Sequence, residues 1–311
     1  MAETAVAETA EQGFIIVAVL WILAALAALA TIFSIYVSNS AQALAVDDTA
    51  LQAEALVSAS LELTAYQLLL AEEKARPAQG SFQFRLGDAA IDVSFLSEAA
   101  RIDLNLAPRE LLAGLLSDLG ADPEAAAQYA DRIVGWRTPP KPESAEDESS
   151  LYRAAGLTYP PRQAPFAHVN ELALVVGLPP ALVDRALPLV TVFSGLQKID
   201  ALIAPPEVLA ALPGMTPAGL KQFVRERSTL PREAAVVATA LGPAQAHATI
   251  ERSGAFRVLT VVRFGNGRQT ASEVTIALGG EEDPYRVLSW QDNVTVAASS
   301  PRELAGGGDA R

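Results

Sequence analysis

FIIVAVLWILAALAALATIFSIYV, Phe14 to Val37, runs for 24 residues without a charge. As a helix at 1.5 Å per residue it reaches about 36 Å, enough to cross a hydrocarbon core of roughly 30 Å. A cleavable secretory signal has a shorter apolar core behind basic residues, and neither condition holds here. A buried core helix seldom needs so long an uncharged run. The neutral stretch continues through Ser38-Asn-Ser-Ala-Gln42 as far as Asp47, and Ala41 to Leu70 stays rich in Ala and Leu, with Glu54 and Glu62 spaced through it. That pattern predicts one helix of about fifty residues. Residues 14–40 form its transmembrane part, and the remainder enters a folded domain.

Composition bounds what that domain does. Of 311 residues half are hydrophobic and 19% are charged, which fits one membrane segment carrying a soluble body. Acids outnumber bases 36 to 23, a net charge of −13, so a phosphate backbone would be repelled and nucleic acid is not the expected partner. The absence of cysteine excludes disulfides, thiolate metal sites and a cysteine nucleophile. His168 and His247 stand apart from any acid-and-nucleophile phrase and read as surface or capping residues. There is no Walker loop and no GxGxxG, so the chain is not expected to be an enzyme.

Beyond the helix, Ser81 to Phe95 holds two alternating runs around Gly87-Asp88, a β-hairpin signal. Ala255 to Phe264, Gln269 to Leu278 and Tyr285 to Trp290 form a second β region, with turns at Gly265-Asn-Gly267 and Gly279 to Pro284. The stretch between is helical, loop-rich and full of Pro. The expected class is therefore α+β: a long amino-terminal helix packed on a small antiparallel sheet, with a large helical domain inserted between strands. The boundaries are a leader at 1–13, the transmembrane helix at 14–40, the body at 41–98 and 251–298, the insert at 99–250 and a disordered tail at 299–311.

An internal repeat marks the insert. Arg101-Ile-Asp-Leu-Asn-Leu-Ala-Pro-Arg-Glu-Leu-Leu112 aligns with Lys198-Ile-Asp-Ala-Leu-Ile-Ala-Pro-Pro-Glu-Val-Leu209 at six of twelve positions. Each copy is an extended lead-in to a helix that starts near proline. A third helical pair is expected around Val169 to Leu174 and Ala181 to Leu187. These phrases resemble helix-hairpin-helix modules, in which turn N–H groups hold DNA phosphates. Here, however, the turns Val176-Gly-Leu-Pro-Pro180 and Pro213-Gly-Met-Thr-Pro217 have lost donors to proline, and Pro142 to Glu148 carries four acids.

Several phrases in order resemble general secretion pathway protein K, the K-type minor pseudopilin of type II secretion. The junction Gly13-Phe14 is similar to a prepilin cleavage site, which makes Gly13 the last leader residue and Phe14 the first, methylated, mature one. Ala145-Glu-Asp-Glu-Ser-Ser-Leu-Tyr152, Phe166-Ala-His-Val-Asn-Glu-Leu172 followed by Val176-Gly177, and Ala210-Ala-Leu-Pro-Gly-Met215 resemble further family phrases. Most pilins place a glutamate at mature position five; this chain has Ala18 there. A carboxylate in the bilayer is costly without a partner. Its absence is typical of the K type and, on the resemblance, marks a subunit at the filament tip.

The resemblance implies a structural subunit of the tip complex supporting export of folded proteins. It would sit in the inner membrane by a single pass, with its carboxy-terminal domain in the periplasm. Its partners would be other minor pseudopilins, pseudopilus subunits and the prepilin peptidase. Orientation follows from the resemblance, since the leader carries Glu3, Glu8 and Glu11 and no Lys or Arg. The family can bind calcium in its insert, and Glu143, Glu146, Asp147 and Glu148 offer hard oxygen donors. No cofactor is required. A solvated acidic loop and a calcium site at Glu146 and Asp147 both remain open, the more so because Arg137-Thr-Pro-Pro140 stands where the family often has aspartates. The alternative function is a membrane-anchored helix-hairpin-helix protein of a DNA-uptake apparatus.

Overall fold

The computed structural model describes residues 3–73, 75–139, 148–279 and 283–294, and of residues 3–16 and 38–49 the backbone alone. The chain divides into two compact units, residues 1–58 and 59–311. Helix α1 (Glu3–Leu70) makes up the described part of the first unit and opens the second. Within it Val17–Val37, 21 residues, has the length and composition of a single-pass membrane anchor, and none of it is buried in protein. Leu20, Leu29, Ile32 and Phe33 are all outward and exposed. A helix apolar on every side suits lipid and not water. Trp21 and Tyr36, near its two ends, are residues that favour the membrane interface.

In the second unit the last turns of α1 bury Leu61, Thr64, Ala65 and Leu68 at the i, i+3, i+4 and i+7 spacing of one helix face. That face covers a five-stranded antiparallel sheet in the order β1-β2-β7-β8-β9. Its strands are β1 (Gln79–Leu86), β2 (Ala89–Ser97), β7 (Ala255–Arg263), β8 (Gln269–Leu278) and β9 (Tyr285–Asp292). Register sets the sheet's buried face: Phe95 lies beside Val258 and that beside Val274, while Ile91 lies beside Val262. Residues two apart share a face, so the alternating runs put Ile91, Val93 and Phe95 on the core side together. Gly87, at φ 62°, supplies the positive φ of the two-residue turn between β1 and β2. The Tyr285 hydroxyl on β9 bonds the Glu62 carboxylate on α1 at 3.1 Å.

Everything from Glu98 to Gly254 leaves the sheet after β2 and returns at β7, its hydrogen-bonded neighbour. This insert contains two modules of one design. The first runs β3 (Ile102–Asp103), α2 (Arg109–Asp118), α3 (Pro123–Arg137), α4 (Glu148–Ala154), α5 (Pro180–Ala186) and β4 (Val190–Thr191). The second runs β5 (Ile199–Asp200), α6 (Pro206–Ala210), α7 (Pro217–Glu226), α8 (Ala234–Leu241) and β6 (Ala248–Thr249). In each, the opening and closing strands pair in parallel. Of the third helical pair the sequence suggests, Val169–Leu174 is a 3-10 helix capped by His168, and only Pro180–Ala186 is α-helical.

The repeat is explained by one backbone device used twice. Asp103 Oδ1 accepts from the Asn105 amide at 2.8 Å, and Asp200 Oδ1 from the Leu202 amide at 3.1 Å. The carbonyls of the same two aspartates accept from Ala107 and Ala204, at 2.8 and 2.9 Å. These bonds turn the chain so that Pro108 and Pro205 cap α2 and α6. Each module is then tied by an arginine at the carboxy-terminal end of its second helix: Arg137 donates to the Leu104 and Ala107 carbonyls, and Arg227, just past α7, to the Ala204 carbonyl. The modules meet where Gly114 of α2 lies against the chain after α6. A Cβ on Gly114 would stand 2.1 Å from the Ala211 carbonyl oxygen.

Candidate functional site

Two of the phrases singled out in the sequence, the one ending at Tyr152 and the one beginning at Phe166, meet in one clasp in the first module. Trp136, at the end of α3, has its ring 6.0 Å from both Tyr152 on α4 and Phe166, and Tyr152 lies 6.0 Å from Tyr159. Edge and tilted pairings at such distances are favourable beyond simple burial. Trp136 Nε1 donates to Glu171 at 3.3 Å, and Glu171 also accepts from Arg162 and from the Ala167 amide. Asn105 grips both backbone groups of Phe166, donating to its carbonyl at 3.0 Å and accepting from its amide at 2.6 Å. The Tyr152 hydroxyl accepts from the Val176 amide at 3.1 Å, and burial pushes its pKa up to about 12. The Phe-x-x-x-x-Glu-Leu phrase is thus a structural lock.

A second site lies where the chain leaves the sheet. Glu98, fully buried, receives Arg257 of β7 through two bonds at 2.8 and 3.3 Å, with Arg101 at 3.4 Å and the Thr191 hydroxyl also on it. Arg257 reaches on to Glu273 of β8 at 2.7 Å. Burial by itself would raise the Glu98 pKa, but Arg257, Arg101 and Thr191 outweigh it and hold the carboxyl below its ordinary range. The Glu98 carboxylate therefore fastens β7 of the body to Arg101 and β4 of the insert, and Arg257 carries the tie on to β8. Asp103 and Asp200 behave oppositely. Burial raises the pKa of each, against the bonds of Asn105, Ser194 and Gly195 to Asp103 and the charge of Arg232 on Asp200.

The backbone of Gly13 and Phe14 lies within α1. Ala18 lies in the apolar span and is partly exposed. Glu143, Glu146 and Asp147 fall outside the described residues. Glu148 is placed, and it is engaged: its carboxylate bonds Arg132 at 3.1 and 3.3 Å and packs over Gly135. Among the described residues no group of three or more His, Asp or Glu could hold a metal ion. His168 Nδ1 accepts from the Asn170 amide at 3.1 Å, a cap. Sequence reasoning missed Glu98 and the two turn-forming aspartates. The aspartates had a signal, since they occupy the same place in both copies of the repeat.

A membrane-anchored helix that continues onto an antiparallel sheet, with a helical insert between neighbouring strands, defines a pilin-like subunit carrying an extra domain. Residues 91–195, which span β2 and the first module, match the family model of protein K of the type II secretion system (T2SS). Among solved structures, a chain in the crystal structure of the GspK-GspI-GspJ complex from the enterotoxigenic Escherichia coli type 2 secretion system is 19% identical, with a TM-score of 0.57. That match covers 78% of this chain and 96% of the other, and at that identity it speaks for the fold. No curated protein sequence matches the chain. The family match and the shared fold support a type II secretion system protein K, a minor pseudopilin. Neither finding supports the DNA-binding alternative.

Proposed function

We propose that this minor pseudopilin sits at the tip of its filament, anchored once in the inner membrane with its body and insert in the periplasm. The observation that carries the reading is the protein K match, residues 91–195, on a pilin-like body whose anchor has no carboxylate over Val17–Val37. With Ala18 at the fifth position after Gly13, no buried charge in that span calls for an amine from an earlier subunit. Its partners are other minor pseudopilins, of the kind named in the complex its fold resembles. The role is structural and involves no catalysis. The prepilin peptidase cleaves after Gly13, and Phe14 becomes the methylated terminus. Mass spectrometry of the mature chain tests this directly: a methylated Phe14 terminus is expected, and an intact Met1 in cells with active peptidase would sink it.

Calcium belongs to the same reading. Glu148 is committed to Arg132, which leaves Glu146 and Asp147 as the donors. Carboxylate oxygens are the ligands calcium prefers. Calorimetric titration of the full chain in detergent should show calcium heat that is lost in Glu146→Gln/Asp147→Asn. No heat in the parent chain would leave a solvated loop.

A further inference from the structure

The two edges of the sheet are built differently. Among the described residues β1 pairs with β2 alone and β9 with β8 alone. β9 is guarded: a break in register at Leu288 interrupts its ladder, Arg286 and Asp292 place charges along it, and its Tyr285 hydroxyl is bonded to Glu62 of α1. Bulges, charges and prolines are how native edges discourage a further strand. β1 has almost none of this. It runs for eight residues in unbroken register with β2, holds no proline and carries a single charge, Arg85.

Opposite residues of an antiparallel pair alternate between bonded and unbonded. The two-residue turn at Gly87-Asp88 makes Leu86 and Ala89 the first bonded pair. Gln79, Ser81, Gln83 and Arg85 therefore direct their N–H and C=O groups away from β2, where no described residue takes them up. The alternate side chains continue the buried face of the sheet, with Phe84 opposite Ile91 and Phe82 opposite Val93. Their rings stack at 6.3 Å, yet both are only half-buried, and Leu86 beside them is 55% exposed. Arg85 has no ion-pair partner among the described residues.

We propose that the β1 edge is a docking site for one extended segment of a different protein, apolar at alternate positions and carrying a carboxylate near Arg85. Such a segment completes the open row of backbone bonds, covers Phe82 and Phe84 and pairs the free guanidinium. Charge favours it, since an acidic strand complements the one cation on this edge. Geometry disfavours a second copy. Antiparallel pairing of two β1 strands turns one chain by 180° about an axis normal to the sheet, which sets the Leu61–Leu68 segments of the two α1 helices in opposite directions. Chains anchored in one membrane by the same Val17–Val37 span run the same way. Pairing β1 of one copy with β9 of the next would meet the break at Leu288.

The test uses the full chain in detergent micelles at neutral pH with a fluorescein-labelled synthetic peptide, Thr-Val-Glu-Val-Thr-Val-Thr, read by anisotropy. Saturable binding with a Kd below about 1 mM is expected. N-methylation of one alternate set of peptide amides should weaken it at least about fivefold, because the bonds to β1 are lost, and methylation of the other set should leave it within about twofold. Gln83→Pro removes an outward N–H without touching the β2 ladder and should weaken binding by a similar factor, with a thermal melt to show that the fold persists. Arg85→Glu should weaken binding about threefold to tenfold and reverse the preference toward the peptide with Lys in place of Glu, which a loss of folding could not do. Arg286→Gln, on the other edge, should change nothing. Absence of saturable binding, equal effects of the two methylation patterns, or an unreversed preference in Arg85→Glu overturns the proposal. So does a dimer of the parent chain that Gln83→Pro dissolves, since the edge would then belong to a second copy.

Discussion

Replacing Arg257 with Met tests whether the buried carboxylate where the chain leaves the sheet fastens the insert to the body. The change removes two bonds to Glu98, at 2.8 and 3.3 Å, and one to Glu273 at 2.7 Å. Glu98 keeps Arg101 at 3.4 Å and Thr191. Breaking a buried pair costs about 3–5 kcal/mol, chiefly because a charge is left without its counter-charge. The residual Arg101 contact places the expected loss at the lower end, about 3 kcal/mol, or roughly 6–12 °C in Tm for a domain of this size. Glu98→Gln in the parent chain should cost about 2 kcal/mol, since a charged acceptor becomes a neutral one. On the Arg257→Met background the same change should cost nothing further or recover about 1 kcal/mol, because a neutral amide is cheaper to bury alone than a carboxylate. Urea unfolding of the full chain in micelles, followed by tryptophan fluorescence, reads all four proteins. Equal costs for Glu98→Gln in both backgrounds, within about 0.5 kcal/mol, would falsify the coupling.

The same group sets an acid limb. Its folded pKa lies below the unfolded value of about 4.3, so its stabilisation is present above that value and is lost as pH falls through the folded pKa. Stability measured from pH 6 to 2.5 should drop in the parent chain and drop less in Glu98→Gln. Asp103 and Asp200 have raised pKa values, so their contribution is full below about 3.9 and is lost as pH rises through the folded values. Asp103→Asn should cost about 1–3 kcal/mol near neutral pH, because one amide N–H then faces a donor among Asn105, Ser194 and Gly195; urea midpoints check it. Gly114→Ala should cost about 1–3 kcal/mol by forcing α2 off the Ala211 carbonyl, again read by urea unfolding. Tyr152→Phe should leave the Val176 amide without its acceptor and lose about 1–3 kcal/mol, with faster hydrogen exchange at that amide as the direct readout.

What the sequence disclosed was local. Gln269 to Leu278 reads as a strand with a turn at Gly279 after it, and β8 has those bounds in the structure. Gly87-Asp88 sits between two alternating runs, and the hairpin closes there. An uncharged run of 24 residues needs no tertiary context to announce itself. What stayed hidden depends on pairs far apart in the chain. Glu98 meets Arg257 at a separation of 159 residues and Thr191 at 93, and nothing nearby in sequence says that a lone glutamate after a strand will be fully buried. Composition also misassigned Glu148 to a pool of free donors, because Arg132 approaches it from another helix. Asp103 and Asp200 were visible as a repeated letter. Their meaning, a side chain that turns its own backbone, appeared only with the hydrogen bonds.

The strands that bracket the insert are immediate neighbours, with Ser97 directly opposite Phe256 in the ladder. In an ordinary meander the link between two such strands would be a tight hairpin turn of about two to five residues. Topologically the whole helical insert therefore occupies the place of one loop, and the sheet closes around it as it would around any other. Such a position is open to growth: a lineage could enlarge, duplicate or exchange everything between Glu98 and Gly254 while the strand order and the anchor stayed as they are. The two modules built to one pattern are what an insertion duplicated at that spot would leave behind.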